Sequence, residues 1–218
     1  MKKHIVCLGD SNTHGRCIDL EDSQDKSMRF NENERWTCLL QKMLGDEYLV
    51  LEEGLSGRTM TVQDPLTEGI SALEVIFPML MSHEPVDMLI IMLGTNDTKD
   101  RFGLSPACIA VCLERLIKKA KSIPCWGIRG PNILIVCPPH IGEGMLQHSC
   151  AGIMGMHCPE KSAALAEYMA PIAQAQNCAF VDAEGIAEMN PIDCMHLSRK
   201  GHTQLAQTLF GYVTQMLK

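Results

Sequence analysis

Met88-Leu89-Ile90-Ile91-Met92-Leu93 is an unbroken run of apolar side chains, followed at once by Gly94-Thr95-Asn96-Asp97. A run this short, rich in isoleucine and closed by turn formers, predicts a strand. The lack of polar alternation predicts that both faces of that strand are covered. Working outward, four further runs read the same way: His4 to Leu8, Tyr48 to Leu51, Asn132 to Cys137 and Ala179 to Val181. Helical spacing fills the gaps between them. Trp36, Leu39, Leu40, Met43 and Leu44 share one helical face, and Ser105-Pro106 supplies a cap and first-turn proline before Ile109, Cys112, Leu113, Leu116 and Ile117. A last helix opens near Ser198 and carries Leu205, Leu209, Val213 and Met216. Alternating strands and helices predict an α/β fold, a three-layer α/β/α sandwich around a five-stranded parallel sheet.

The bulk composition narrows the function. With 218 residues, 46% hydrophobic and 21% charged, the chain suits a single domain spanning 1–218, and no repeat or linker divides it. A formal charge of -7 argues against nucleic acid and anionic membranes, because no basic field gathers phosphates. Lys118, Lys119 and Lys121 read as a solvated helix face. Eleven cysteines, an odd number without a CxxC pair, fit free thiols in a reducing cytoplasm better than a disulfide framework. The apolar stretch Ile5 to Leu8 meets Gly9-Asp10 too soon for a signal-peptide core, and no run has the length of a membrane span. Residues Ile141 to Met156 hold four glycines and three methionines without periodicity, which predicts a long loop, a lid over the ligand crevice.

In a doubly wound sheet, ligands bind beyond the carboxyl ends of the strands, so chemistry is sought there. The first strand ends in Gly9-Asp10-Ser11-Asn12-Thr13-His14-Gly15. Ser11 is a candidate nucleophile on a tight turn; the alternatives are an ordinary turn or a phosphate cradle as in flavodoxin-like folds, and the cradle is opposed by the Asp10 carboxylate. A serine hydroxyl needs a base and a group to orient that base. Asp193-Cys194-Met195-His196 offers both, with Asp193 spaced to accept from Nδ1 of His196 while Nε2 stays free. A helix-capping Asp beside a solvated His is the blander reading of the same residues. An oxyanion needs donors, and Gly54 after the second strand and Asn96 after the third can supply an amide and a carboxamide, although a turn glycine and an Asx turn explain them equally well in isolation.

Rival assignments are available for several residues. His202 competes with His196 as the base, but it falls within the last helix and has no carboxylate three positions before it. Ser56, in Gly54-Leu55-Ser56-Gly57, is the nearest imitation of a lipase elbow, and no GxSxG string occurs. His148, Cys150, His157 and Cys158 cluster in the predicted lid, yet their spacing matches no familiar zinc ligand set, so neither metal nor other cofactor is expected. A flavodoxin-like binding module without catalysis is the non-enzyme alternative.

Taken together, Gly9-Asp10-Ser11, Gly54, Gly94-Thr95-Asn96-Asp97 and Asp193-x-x-His196 resemble, in order and spacing, the blocks of the SGNH, or GDSL-like, hydrolase superfamily. The resemblance implies Ser11 as nucleophile, His196 as base, Asp193 as its orienter, and the Ser11 amide, Gly54 amide and Asn96 side chain as the oxyanion hole. Longer strings, Arg35-Trp36-Thr37, Glu52 to Thr59 and Ile91 to Lys99, resemble the small arylesterase and acyltransferase branch. That resemblance implies a serine esterase acting on a small-molecule ester with a short acyl group, acyl transfer to alcohols, and a homo-oligomer, octameric in some members. A carbohydrate O-acetyl esterase is the alternative within the same chemistry. Asn12 and His14 stand where that branch tends to have Leu and Trp, which predicts a more polar entrance and favours water over alcohol as acceptor.

Overall fold

The computed structural model describes residues 1–218. Five parallel strands, β1 (Lys3–Gly9), β2 (Tyr48–Gly54), β3 (Met88–Met92), β4 (Ile133–Cys137) and β5 (Ala179–Asp182), lie in the order β2-β1-β3-β4-β5. The expected sheet is therefore present. Within each apolar run, alternate residues go to opposite faces. Val6, Leu8, Leu89, Ile91, Ile133 and Ile135 pack on one side, whereas Ile5, Cys7, Met88, Ile90, Leu134 and Val136 pack on the other. Two cores result, which explains why no strand needs a polar face.

The first core is closed by α3 (Ala72–Ser82), α4 (Pro106–Lys121) and α7 (Leu165–Ala175) through residues such as Ile76, Leu113 and Met169. The second is closed by α2 (Trp36–Leu44) and α8 (Arg199–Met216) through Trp36, Leu40, Leu205 and Leu209. The expected caps are in place: Ser105 Oγ accepts from the Cys108 amide at 3.2 Å and Ser198 Oγ from the Gly201 amide at 3.0 Å. Helices α3 and α7 were not foreseen, since Pro78 and Pro171 interrupt their sequences. Burial of their apolar faces outweighs the lost hydrogen bond of each proline.

One expectation needs correction. Residues 141–156 are not an unstructured lid: they hold a 3₁₀ turn over Glu143–Gln147 and the short α5 (Ala151–Met154), just before α6 (Cys158–Ala163). The methionines are the reason. Met145 and Met154 join Ile141, Cys158 and Met195 in a small core of their own, so this segment is fastened to the loop that carries His196.

Candidate active site

The chain leaves β1 and β3 on opposite sides of the strand-order reversal, so the ends of these neighbours open into a crevice. Ser11 starts the one-turn helix α1 (Ser11–His14), where its N–H has no intrahelical acceptor. Asp10 caps that turn, its Oδ1 accepting from the Asn12 amide at 2.9 Å. Glycines on either side keep the crossing tight. A Cβ on Gly54 would lie 2.3 Å from the His14 nitrogen and 2.5 Å from the Thr13 carbonyl carbon, so β2 can pass the Ser11 turn only without a side chain there.

Ser11 Oγ lies 2.9 Å from Nε2 of His196, and Nδ1 of His196 lies 2.5 Å from Asp193 Oδ2. Local geometry fixes the Asp193 carboxylate. Its other oxygen accepts from the amides of Met195 and His196, each at 3.1 Å, and from Asn190 Nδ2 at 2.9 Å. The turn closes because Cys194 takes a left-handed conformation with φ 52°. Burial pushes the Asp193 carboxyl up, but hydrogen bonds and the His196 charge outweigh it and hold the group well below the ordinary carboxylate range. The Asp193–His196 pair therefore carries a carboxylate at neutral pH.

Asn96, after β3, lines the same hollow of about 230 Å³ as Ser11 and His196. One hydrogen of its carboxamide reaches Asp10 Oδ2 at a long 3.4 Å, which orients the group and leaves the second hydrogen available. Gly54 sits beside Gly9 in the β1–β2 register, at the edge of this arrangement and not on the lining. Arg58 ties that edge together, donating to the Gly9 carbonyl at 3.2 Å and to the Glu53 carbonyl. Asp97 faces away, accepting from the Met60 amide at 3.0 Å; burial and the nearby Asp10 charge raise its pKa to about 7.

The rival residues fall elsewhere. Ser56 lines the hollow but has no hydrogen bond to an imidazole, since Nε2 of His196 is directed at Ser11. His202 is fully buried beneath the site, accepting from the Trp36 amide at 3.3 Å, and burial together with Arg35 and His196 lowers its pKa to about 3. It is a neutral core residue. The His and Cys cluster does not converge: His148 pairs with Cys150 at 3.1 Å, His157 with Asp100 at 2.9 Å, and the Cys158 thiol donates to backbone carbonyls. No group of three or more His, Cys, Asp or Glu is disposed to hold a metal ion.

Asn12 also differs from expectation. It is not part of a polar entrance: at 1% exposure its carboxamide donates to the Met195 carbonyl at 3.2 Å and accepts from the Leu197 amide at 2.9 Å. His14 is half-buried and does not line the hollow. Sequence reading thus gave Asn12 a different role, and it gave none to Arg58 and Asn190, which also position this region. Only Asn190 carried a signal, the Asn-Pro dipeptide that marks a turn.

No helix is long and apolar enough to cross a membrane. No curated protein matches the sequence. Among solved structures, the chain is similar to a carbohydrate acetylesterase family member from Sinorhizobium meliloti, at 32% identity over 99% of each chain with a TM-score of 0.87. It is also similar to the M. smegmatis aryl esterase, at 29% identity over 98% of this chain and 99% of that one, with a TM-score of 0.88. The sequence profile of the GDSL-like Lipase/Acylhydrolase family matches residues 7–204. The chain belongs to this family, with the SGNH fold, and is a carboxylic ester hydrolase.

Proposed function

We propose that the protein hydrolyses short-chain, acetyl-type esters through an acyl-enzyme on Ser11. His196 takes the Ser11 proton as Oγ attacks the ester carbonyl, and Asp193 holds the imidazole in the tautomer that can accept it. The carbonyl oxygen, now negative, rests on the Ser11 and Gly54 amides and the Asn96 carboxamide. His196 then returns its proton to the departing alcohol oxygen. Water repeats the sequence on the acyl-enzyme, and a competing alcohol in its place gives acyl transfer. The observation that carries this reading is the 2.9 Å contact between Ser11 Oγ and His196 Nε2, with the carboxylate of Asp193 behind it. A hollow of about 230 Å³ favours a short acyl group over a lipid tail.

A fluorophosphonate probe tests the assignment. It should label the protein once, at Ser11, and labelling should vanish in Ser11→Ala; labelling that survives the substitution sinks the proposal. A second reading, removal of O-acetyl groups from carbohydrates, is supported by the similarity to the S. meliloti protein. Acetate release from acetylated sugars, compared with phenyl acetate, separates the two. Homo-oligomeric assembly belongs to the same proposal, and gel filtration against the 24.1 kDa monomer reads it directly.

A further inference from the structure

The lining of the hollow has an unusual charge balance for so acidic a chain. Arg16 and Lys99 both line it, and no Asp or Glu does, although the protein carries a formal charge of -7. The carboxylates behind the wall are already engaged. Asp10 accepts from Asn12 and Asn96, Asp97 from the Met60 amide and Asp193 from His196, and each is at most 1% exposed. Lys99 is a buried ammonium, its side chain 7% exposed, lying 3.3 Å from Asp64 Oδ2. Arg101 shares that same carboxylate, so the group of three keeps a net positive charge.

Arg16 differs from the arginines around it. Arg29 donates to the His14 carbonyl, Arg35 to Glu52 and Arg101 to Asp64, whereas the Arg16 guanidinium bonds to no protein group. Its backbone is nevertheless fixed, because the Arg16 amide donates to the Ser11 carbonyl at 2.9 Å. Arg16 is half-buried and lines the same hollow as Ser11, and its unpaired guanidinium is a fork suited to bidentate contact with a carboxylate. Away from this hollow the excess negative charge of the chain repels anions, so the two cations also focus attraction on one place.

We propose that the ester taken by this site carries a carboxylate, recognised by Arg16 with Lys99 contributing its charge. The proposal rests on the Ser11 esterase reading and specifies its substrate class. Two ester pairs test it and locate the anion. 4-Carboxyphenyl acetate against 4-carbamoylphenyl acetate places the charge on the alcohol side; monophenyl succinate against its neutral carboxamide counterpart places it on the acyl side, with uncatalysed hydrolysis subtracted. In at least one pair kcat/KM for the anion should exceed that of the neutral partner by on the order of tenfold. Added salt should shrink that ratio. Arg16→Gln should bring the ratio towards one, and Arg16→Lys should restore part of it; because both are ratios, a general loss of activity cancels. A ratio near or below one in both pairs, with the neutral esters turned over normally, overturns the anion proposal and leaves the esterase reading intact. Failure to turn over any of the esters, phenyl acetate included, overturns both.

Discussion

Asn12 grips His196 from both sides without touching its ring. Its carboxamide donates to the carbonyl of Met195 and accepts from the amide of Leu197, the two neighbours of that histidine. Because Asn12 follows Ser11 directly, its side chain ties the turn of the hydroxyl to the loop of the imidazole. Asn12→Ala should lower kcat by on the order of 10- to 100-fold through misplacement of the base, with KM little changed. Orphaning the two buried peptide groups should also cost about 1–3 kcal/mol of stability. Steady-state kinetics beside urea unfolding check both; an unchanged kcat in a destabilised variant would mean that Asn12 serves folding alone.

Asp193→Asn preserves shape but removes the charge and disturbs the tautomer of His196. The expected fall in kcat is on the order of 10³ to 10⁴, whereas Asn96→Ala should cost on the order of 10² to 10³. Single-turnover acylation rates measure each without interference from later steps.

Gly54→Ala is a steric test of the β1–β2 crossing. The new Cβ would meet the His14 nitrogen at 2.3 Å, backbone against side chain, with no flexible atom able to yield. We expect a lower melting temperature together with more than about tenfold loss of kcat/KM, since displacing the turn also displaces Ser11 and, on the proposed mechanism, an oxyanion donor. Normal activity at normal stability would show that the crossing relaxes freely.

His202 makes acid stability predictable. Burial and neighbouring charges lower its folded pKa to about 3, so below the unfolded value near 6.5 the unfolded chain takes up a proton that the folded one refuses. Stability from this residue therefore falls with pH between those limits. Asp97 acts oppositely: its raised pKa of about 7 makes the folded state gain a proton on acidification. Comparing the protein with His202→Asn cancels the Asp97 contribution. The stability advantage of the parent should shrink by about 2 kcal/mol between pH 6.5 and 4.5; a constant difference refutes the assignment of a neutral buried imidazole.

The layered fold was legible because doubly covered strands must be apolar throughout, as Met88 to Met92 is. The contacts of Ser11 with His196 and of His196 with Asp193 were legible because both motifs are short, Gly9-Asp10-Ser11 at the end of β1 and Asp193-x-x-His196 in the loop before α8. What escaped was long-range or anti-periodic. The bonds of Asn12 span 183 and 185 residues, so a buried clamp looked like a polar rim. Pro78 and Pro171 disguised α3 and α7, and the small core around Met145 and Met154 draws on residues too irregularly spaced to show a period.

The hydroxyl and imidazole that meet at Ser11 and His196 are 185 positions apart. Under the proposed assignment, a chain still emerging from the ribosome is chemically silent until almost all of it has been made and threaded into place. A chain stalled before residue 196 would, on that assignment, hold the hydroxyl without its base.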